Sequence, residues 1–322
     1  MHSIGTVWLW TVFFIVIATV FVIDIVVLRG GECQRLSAWQ ALGWTLVWIF
    51  CALAFNVFLW WYLLSIHGAE IAYQSALAFL VGYLIEKILS VDNMVVILMI
   101  FHFFAVPFPY QRRVLLYGVL GAMVLRLAMI LLGIGLIDAF HWVLYLFGIF
   151  LIGMGGKMLL IKEKESDLAE HAVVKWLQKH IRLTNEYHDE KFFIIQNAVW
   201  YATPLLLVVV LVELHDLIFA LDSIPAIFAI TTDPFIVFTS NVFAILGLRS
   251  LYFLLAHAVN SFYLLKYGVA VILMFVGAKL LIAYYTPLSI ELTLGVVVTI
   301  LVLAVMLSVL IPKKYLEGFL KK

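Results

Sequence analysis

EKILSVDN, residues 86 to 93, stands in the middle of the apolar run ALAFLVGYLIEKILSVDNMVVILMI, residues 76 to 100, and that setting decides the fold. A run of this length matches the roughly 20 residues that a helix needs to cross the hydrocarbon core of a bilayer. An ionised carboxylate at that depth costs about 2.5–3.5 kcal/mol on insertion scales, so acids placed there face a cavity or a partner and carry function by default. A second run repeats the anomaly with ELHDLIFALDS, residues 213 to 223. Glu86, Asp92, Glu213, Asp216 and Asp222 all lie near mid-span.

The rest of the chain agrees that the solvent is lipid. Of its 322 residues 66% are hydrophobic and 12% charged, far from the composition of soluble domains. A formal net charge of +1 supplies no basic field for nucleic acid, which excludes that partner class. Cys33 and Cys51 form neither a CxxC pair nor a cluster with histidine, so they support no disulfide framework and no zinc site.

Scanning for apolar stretches of spanning length predicts nine helices, at about residues 6–28, 40–64, 74–104, 113–137, 139–161, 198–231, 235–258, 262–284 and 288–311. The third and sixth are long enough to tilt or break. Arg29, Arg35, Arg112, Arg113, Lys266, the basic residues between Lys162 and Lys191, and the terminal lysines all fall on one side of such a bundle. The positive-inside rule then sets the N-terminus outside and the C-terminus inside. This predicts an all-α polytopic membrane protein.

Arg126 and Lys157 recur about 123 residues later as Arg249 and Lys279, and GGKMLLI from Gly155 resembles GAKLLIA from Gly277. In the acidic clusters the offset is 130, which sets Glu86 over Asp216, Asp92 over Asp222 and Asn93 over Ser223. Spans 3–5 therefore read as repeated in spans 6–8 with opposite topology, a 3+3 inverted repeat of the kind that builds secondary transporters with a site near the midplane. The organisation that follows is two accessory spans in residues 1–70, repeat one in 71–161, a cytoplasmic connector in 162–192, repeat two in 193–286, and a final span with a basic tail in 287–322. The connector is charged, with an apolar stripe at Val173, Val174, Leu177 and Ile181 that suits a helix on the membrane surface; His171, His180 and His188 make it a candidate sensor.

Helical spacing puts Glu86 and Asn93 on one face and Asp216 and Ser223 on another. Asp92 and Asp222 lie off those faces unless the helices break nearby, for which Pro225 and, more weakly, Ser90 are the signals. Carboxylates, an amide oxygen, a hydroxyl and freed carbonyls are oxygen donors, suited to hard divalent cations such as Mg²⁺, Ca²⁺ or Mn²⁺. Geometrically, Glu86 and Asp92 should face Asp216 and Asp222 across a pseudo-two-fold axis, with Glu213 lacking a counterpart. The alternative is structural: Lys87, Arg126 and Arg249 could neutralise the acids in ion pairs, though five acids exceed three bases. His215, between Glu213 and Asp216, is either a ligand, a proton relay or a spacer. Asn241 and Ser240 either hydrogen-bond across the bundle or line the pathway. Lys157 and Lys279 read as snorkelling to the interfaces, Asp24 as an interfacial anchor or a partner of Arg29, and Trp8, Trp10, Trp44, Trp48, Trp60 and Trp61 as interfacial or lipid-facing.

EKILSVDN (86–93), ELHDLIFALDSIPAIFAITTDPFIVFTSNVFAILGLRSLYFLLA (213–256) and LKYGVAVILMFVGAKLLI (265–282) closely resemble the TerC/Alx family of integral membrane proteins. The resemblance implies a role in manganese homeostasis in a bacterial inner membrane, with Mn²⁺ as the transported ion, no organic cofactor, and links to alkaline-pH response and tellurite resistance. It implies that Glu86, Asp92, Asn93, Glu213, Asp216, Asp222 and Ser223 are the metal-site residues; His215 and His257 fall where the family does not call for histidine. Export of Mn²⁺, coupled to protons through the same acids, is the leading expectation. The alternatives are a membrane partner that supplies Mn²⁺ to exported proteins and an intramembrane aspartyl enzyme, whose GxGD-type motif is missing. No GxxxxGK[ST] pattern is present for ATP, so the expectation is a transporter and not an enzyme.

Overall fold

A computed structural model describes residues 3–29, 38–160, 182–184, 186–196, 199–258, 264–283 and 288–310. The connector helix, His171, His180, Cys33 and the basic tail lie outside the described residues, as do the side chains of Asp24, Arg29, Asp92, Arg249 and His257. The chain is mostly helical: α1 (Val7–Arg29), α2 (Ala38–His67), α3 (Ala69–Phe103), α4 (Phe108–Ala139), α5 (Val143–Leu160), α6 (Pro204–Phe228), α7 (Pro234–Leu246), α8 (Leu248–Ala258), α9 (Leu265–Ile282) and α10 (Ile290–Leu310). Among the described residues six of these, α2, α4, α5, α6, α9 and α10, are long and apolar enough to cross a membrane, and Val7–Ile23 and Pro234–Leu246 are shorter apolar stretches.

The boundaries follow from local chemistry. Gly68, at φ +88°, is the single residue between α2 and α3, a left-handed conformation that costs glycine no Cβ clash. Prolines stand at the first turns of α4, α6 and α7, where no backbone donor is missed. Asp233 caps α7, its Oδ1 accepting from the amides of Phe235 and Ile236 at 2.9 and 3.2 Å. The same carboxylate ties down the N-terminal segment, accepting from Ser3 Oγ at 3.2 Å and Ile4 N at 2.7 Å.

Three expectations are corrected. The sixth span does not begin at residue 198: an antiparallel hairpin, β1 (Phe193–Gln196) and β2 (Val199–Ala202), precedes α6, with Phe193 paired to Ala202. Its Phe193, Ile195 and Trp200 point outward, which suits the membrane–water interface. The seventh span is not one helix but two, divided at Gly247 into α7 and α8. And neither α3 nor α6 breaks at the acidic motifs. Pro225 falls in the last turn of α6, close enough to its end at Phe228 that the helix simply runs out. Ser90 instead donates to its own helix, to the Glu86 carbonyl at 2.7 Å.

Packing is inside-out relative to a soluble protein. Large apolar side chains such as Trp39 (82% exposed) and Leu160 (86%) cover the outside, while Glu86, Arg126 and Asn241 are fully buried. An aromatic cluster of Phe13, Phe55, Phe79, Phe235 and Phe243 joins α1, α2, α3 and α7, its tightest pair being Phe55 and Phe243 at 4.8 Å between centroids. Trp48 belongs to this core, so it is neither interfacial nor lipid-facing as the sequence suggested, while Trp10 is partly buried and packs edge-on against Phe235. α3 and α6 run antiparallel through the centre. α5 and α9 cross at glycines: a Cβ on Gly148 would stand 2.9 Å from the Gly277 carbonyl oxygen, and one on Gly155 would stand 2.5 Å from that of Ala270.

Candidate functional site

Seven-residue spacing on α3 and on α6 does what helix geometry requires. Glu86 and Asn93 of α3, and Asp216 and Ser223 of α6, are all buried, on the faces where the two helices meet. Gly82, a turn before Glu86, lets α3 close on α7: a Cβ there would lie 2.9 Å from Ser240 Oγ. That approach brings Asn241 of α7 into the same layer, and α4 contributes Arg126.

Arg126 is the hub. Its Nη1 donates to Glu86 Oε1 and to Asn241 Oδ1, and its Nη2 reaches Asp216 Oδ1 at 3.5 Å. Asn93 Nδ2 donates to that same Asp216 oxygen at 2.9 Å. The Ser223 hydroxyl borders the Glu86 carboxylate. What is left unanswered is as informative: Glu86 Oε2, Asp216 Oδ2, Asn93 Oδ1 and Arg126 Nε have no hydrogen-bond partner among the described residues. Three of those four atoms are oxygen acceptors. Native proteins rarely leave buried polar atoms unpaired, so each of these atoms calls for a partner. With both acids ionised, two carboxylates share one guanidinium, a deficit of one positive charge in low dielectric.

The structure thus unites Glu86, Asn93, Asp216, Ser223, Arg126 and Asn241, and places Glu213, Asp222, Lys87 and His215 elsewhere, while the side chains of Asp92 and Arg249 lie outside the described residues. Glu213, one turn before Asp216 and within its Coulombic reach, lies with its carboxylate directly against Gly121 of α4, and its Oε2 is unpartnered. Asp222 is half-buried, and Lys157 of α5, exposed near the end of its helix, is the base whose charge reaches it. Lys87 pairs with no carboxylate among the described residues. Its ammonium donates to the Ala244 carbonyl at 3.2 Å, filling the space that the absent side chain of Gly247 leaves at the junction of α7 and α8. Lys279 is likewise buried and donates to Thr293 of α10 at 2.9 Å. His215 sits 6.4 Å from the Phe219 ring on its own helix. Of the two alternatives for the start of α7, Asn241 bonds across the bundle while Ser240 donates to the Val237 carbonyl within its helix.

Among the described residues no three of His, Cys, Asp and Glu come together in metal-binding geometry. The two central carboxylates are instead joined through Arg126. Gly121 and Gly247 were not singled out in the sequence; their signal is a glycine inside an apolar helix, which marks close approach of another element.

Comparisons with known proteins extend over nearly the whole chain. The model of the Integral membrane protein TerC family matches residues 71–316. A protein of Escherichia coli (strain K12) named "Putative membrane-bound redox modulator Alx" is 51% identical over 308 residues, 96% of this chain and 96% of that one. One of the same name from Photorhabdus laumondii is 48% identical, covering 97% and 98%, and an uncharacterized membrane protein of Myxococcus xanthus is 41% identical, covering 96% and 94%. No solved structure matches the chain. Family model, relatives and the buried acidic motifs agree, and the chain belongs to the TerC family of integral membrane proteins.

Proposed function

We propose that this protein is a secondary transporter of divalent metal cations that exports Mn²⁺ from the cytoplasm across the bacterial inner membrane, with protons moving through the same carboxylates. The observation that carries this reading is the central cluster. Glu86 and Asp216 are buried beside Asn93 and Ser223, they share a single guanidinium, and each keeps one unanswered oxygen. Those donors are hard oxygens, and a divalent cation or a proton would offset the charge they carry. Asp92, in the same motif, is the further ligand in this reading, with Glu213 and Asp222 as stations toward either end of α6.

Nine spans in a 3+3 inverted repeat, N-terminus outside, form the frame. α3 packs on α7 as α6 packs on α4. Gly148 meets Gly277 and Gly155 meets Ala270; under the 122-residue offset that sets Gly155 over Gly277, Gly148 falls over Ala270. The two contacts are then one contact seen from each repeat, as a two-fold relation requires. In that frame the cluster of Glu86 and Asp216 sits where the repeats meet, the place of substrate in transporters built this way.

The test is direct. In cells lacking the protein and exposed to raised external Mn²⁺, wild-type protein should lower intracellular Mn while Asp216→Asn does not. Equal Mn content with and without the wild type would overturn the proposal.

A further inference from the structure

The group that occupies the oxygens of the proposed metal site is itself a cation on a flexible arm. Arg126 Nη1 and Nη2 hold one oxygen each of Glu86 and Asp216, while its Nε and the two remaining carboxylate oxygens go unmatched. Neither partner is saturated, so the arrangement is serviceable rather than final. Counting charges, two carboxylates with a divalent metal are neutral; with the guanidinium they carry −1, which one proton cancels; with both cations they carry +1. In a water-excluded site the doubly occupied state is the one that mutual repulsion disfavours.

A place for the arginine to go is already built. Glu213 lies one turn before Asp216 on α6, its carboxylate against Gly121 of α4, the helix that bears Arg126, and its Oε2 is buried without a partner. α4 and α6 run parallel, Gly118 lying against Val212 and Gly133 against Phe228. Moving from Asp216 to Glu213 is therefore a displacement of about one helical turn, roughly 5 Å, along the side chain's own helix, and the missing side chain of Gly121 is what lets the Glu213 carboxylate lie against that helix.

We propose that Arg126 is a tethered cation that holds Glu86 and Asp216 when metal is absent and is handed to Glu213 when a divalent cation enters, so that metal and guanidinium are alternative occupants of one site. The proposal rests on the reading of Glu86 and Asp216 as metal ligands. It gives Glu213, the acid without a counterpart in the repeat, a role as receiver of the arginine, and it lets the metal-free carrier reorient without two bare carboxylates.

A double-mutant cycle on the purified full-length protein in lipid nanodiscs tests it, with Mn²⁺ binding measured by calorimetry for wild type, Arg126→Gln, Glu213→Gln and the double variant. Removing the competitor should tighten Mn²⁺ binding at least tenfold. Removing the receiver should weaken it at least tenfold in the wild-type background and leave it unchanged when Arg126 is already gone. Arg126→Gln binding no tighter than wild type, or Glu213→Gln weakening both backgrounds alike, overturns the proposal; the second result makes Glu213 a ligand. Should Arg126→Gln not fold, Arg126→Lys takes its place: an ammonium cannot bridge both acids with a planar fork, so tighter binding than wild type is expected, and equal or weaker binding overturns the idea. No Mn²⁺ binding by any of these folded proteins would overturn the metal reading itself, whereas binding indifferent to Arg126 removes only the tethered cation.

Discussion

Gly155→Ala is the most exacting substitution that the bundle offers. The added Cβ would stand 2.5 Å from the Ala270 carbonyl oxygen and 3.2 Å from the Met274 amide nitrogen, and ordinary contact begins at 3.4 Å. The obstacle at Ala270 is backbone, so no rotamer change relieves it; α5 and α9 must separate by about 0.9 Å. A gap of that size forfeits a quarter to a half of the dispersion energy of the contacts it opens, and overpacking of this kind costs about 1–3 kcal/mol. Replacing glycine in a helix returns about 1 kcal/mol of backbone propensity, leaving a net loss of about 0–2 kcal/mol and a deficit of about 1–3 kcal/mol against a glycine replaced without a clash. The internal control lies one residue away. Gly156 has nothing within 4 Å of its would-be Cβ, so Gly156→Ala keeps the propensity gain and should be neutral or stabilising. Both variants are compared with wild type by denaturant titration in mixed micelles. The pair Gly148→Ala with Gly155→Ala should lose less than the sum of its parts, because the first separation makes room for the second. A Gly155→Ala protein as stable as Gly156→Ala would refute the packing argument.

Other outcomes follow from the same geometry. Lys87→Met removes the donor to the Ala244 carbonyl and should cost about 1–3 kcal/mol in denaturation, since it takes a donor from a buried acceptor; stabilisation of the protein by Mn²⁺ should persist, because Lys87 touches neither Glu86 nor Asp216 among the described contacts. Asp233→Ala deletes the α7 cap and the ties to Ser3 and Ile4, and should lower stability by about 0.5–2 kcal/mol while exposing the N-terminal segment to protease; a tail that stays protected would contradict the tie. Tyr187 donates to the Phe104 carbonyl at 2.8 Å, and burial pushes its phenol up to about 12. Its contribution is whole below about pH 10, where the unfolded phenol titrates, and is lost as pH rises through 12. Tyr187→Phe should therefore flatten that limb of the alkaline stability profile, and an unchanged profile would dismiss the contact.

Much of this was legible in the sequence, for a physical reason. In lipid the costly residues are the polar ones, so Glu86, Asn93, Asp216 and Ser223 announce themselves, and their seven-residue spacing already assigns the two helix faces that meet. Arg126 was visible as a buried base, but which acids it would choose was not, since apolar helices carry no periodic stripe that fixes rotation. For the same reason Lys87, adjacent to Glu86 in sequence, gave no sign that it points at a carbonyl of α7. The division at Gly247 and the hairpin before α6 were hidden because hydropathy averages over the window in which a helix bends or gives way to strand. The side chain of Asp92 is not among those described, so its expected partnership with Asp222 across the axis is carried by the proposal and not by the observed contacts.

The junction at Gly247 has one further meaning. At 1.5 Å per residue α7 and α8, of 13 and 11 residues, reach about 20 Å and 16 Å, and neither spans a hydrocarbon layer of roughly 30 Å alone. Their shared boundary must then lie at depth, where a loosened carbonyl has no water to turn to. The answering donor comes from a residue 157 positions earlier in the chain. To the packing of α3 on α7 this adds a polar latch, set one residue from Glu86, so that any rotation of α3 that re-aims that carboxylate also pulls on the latch.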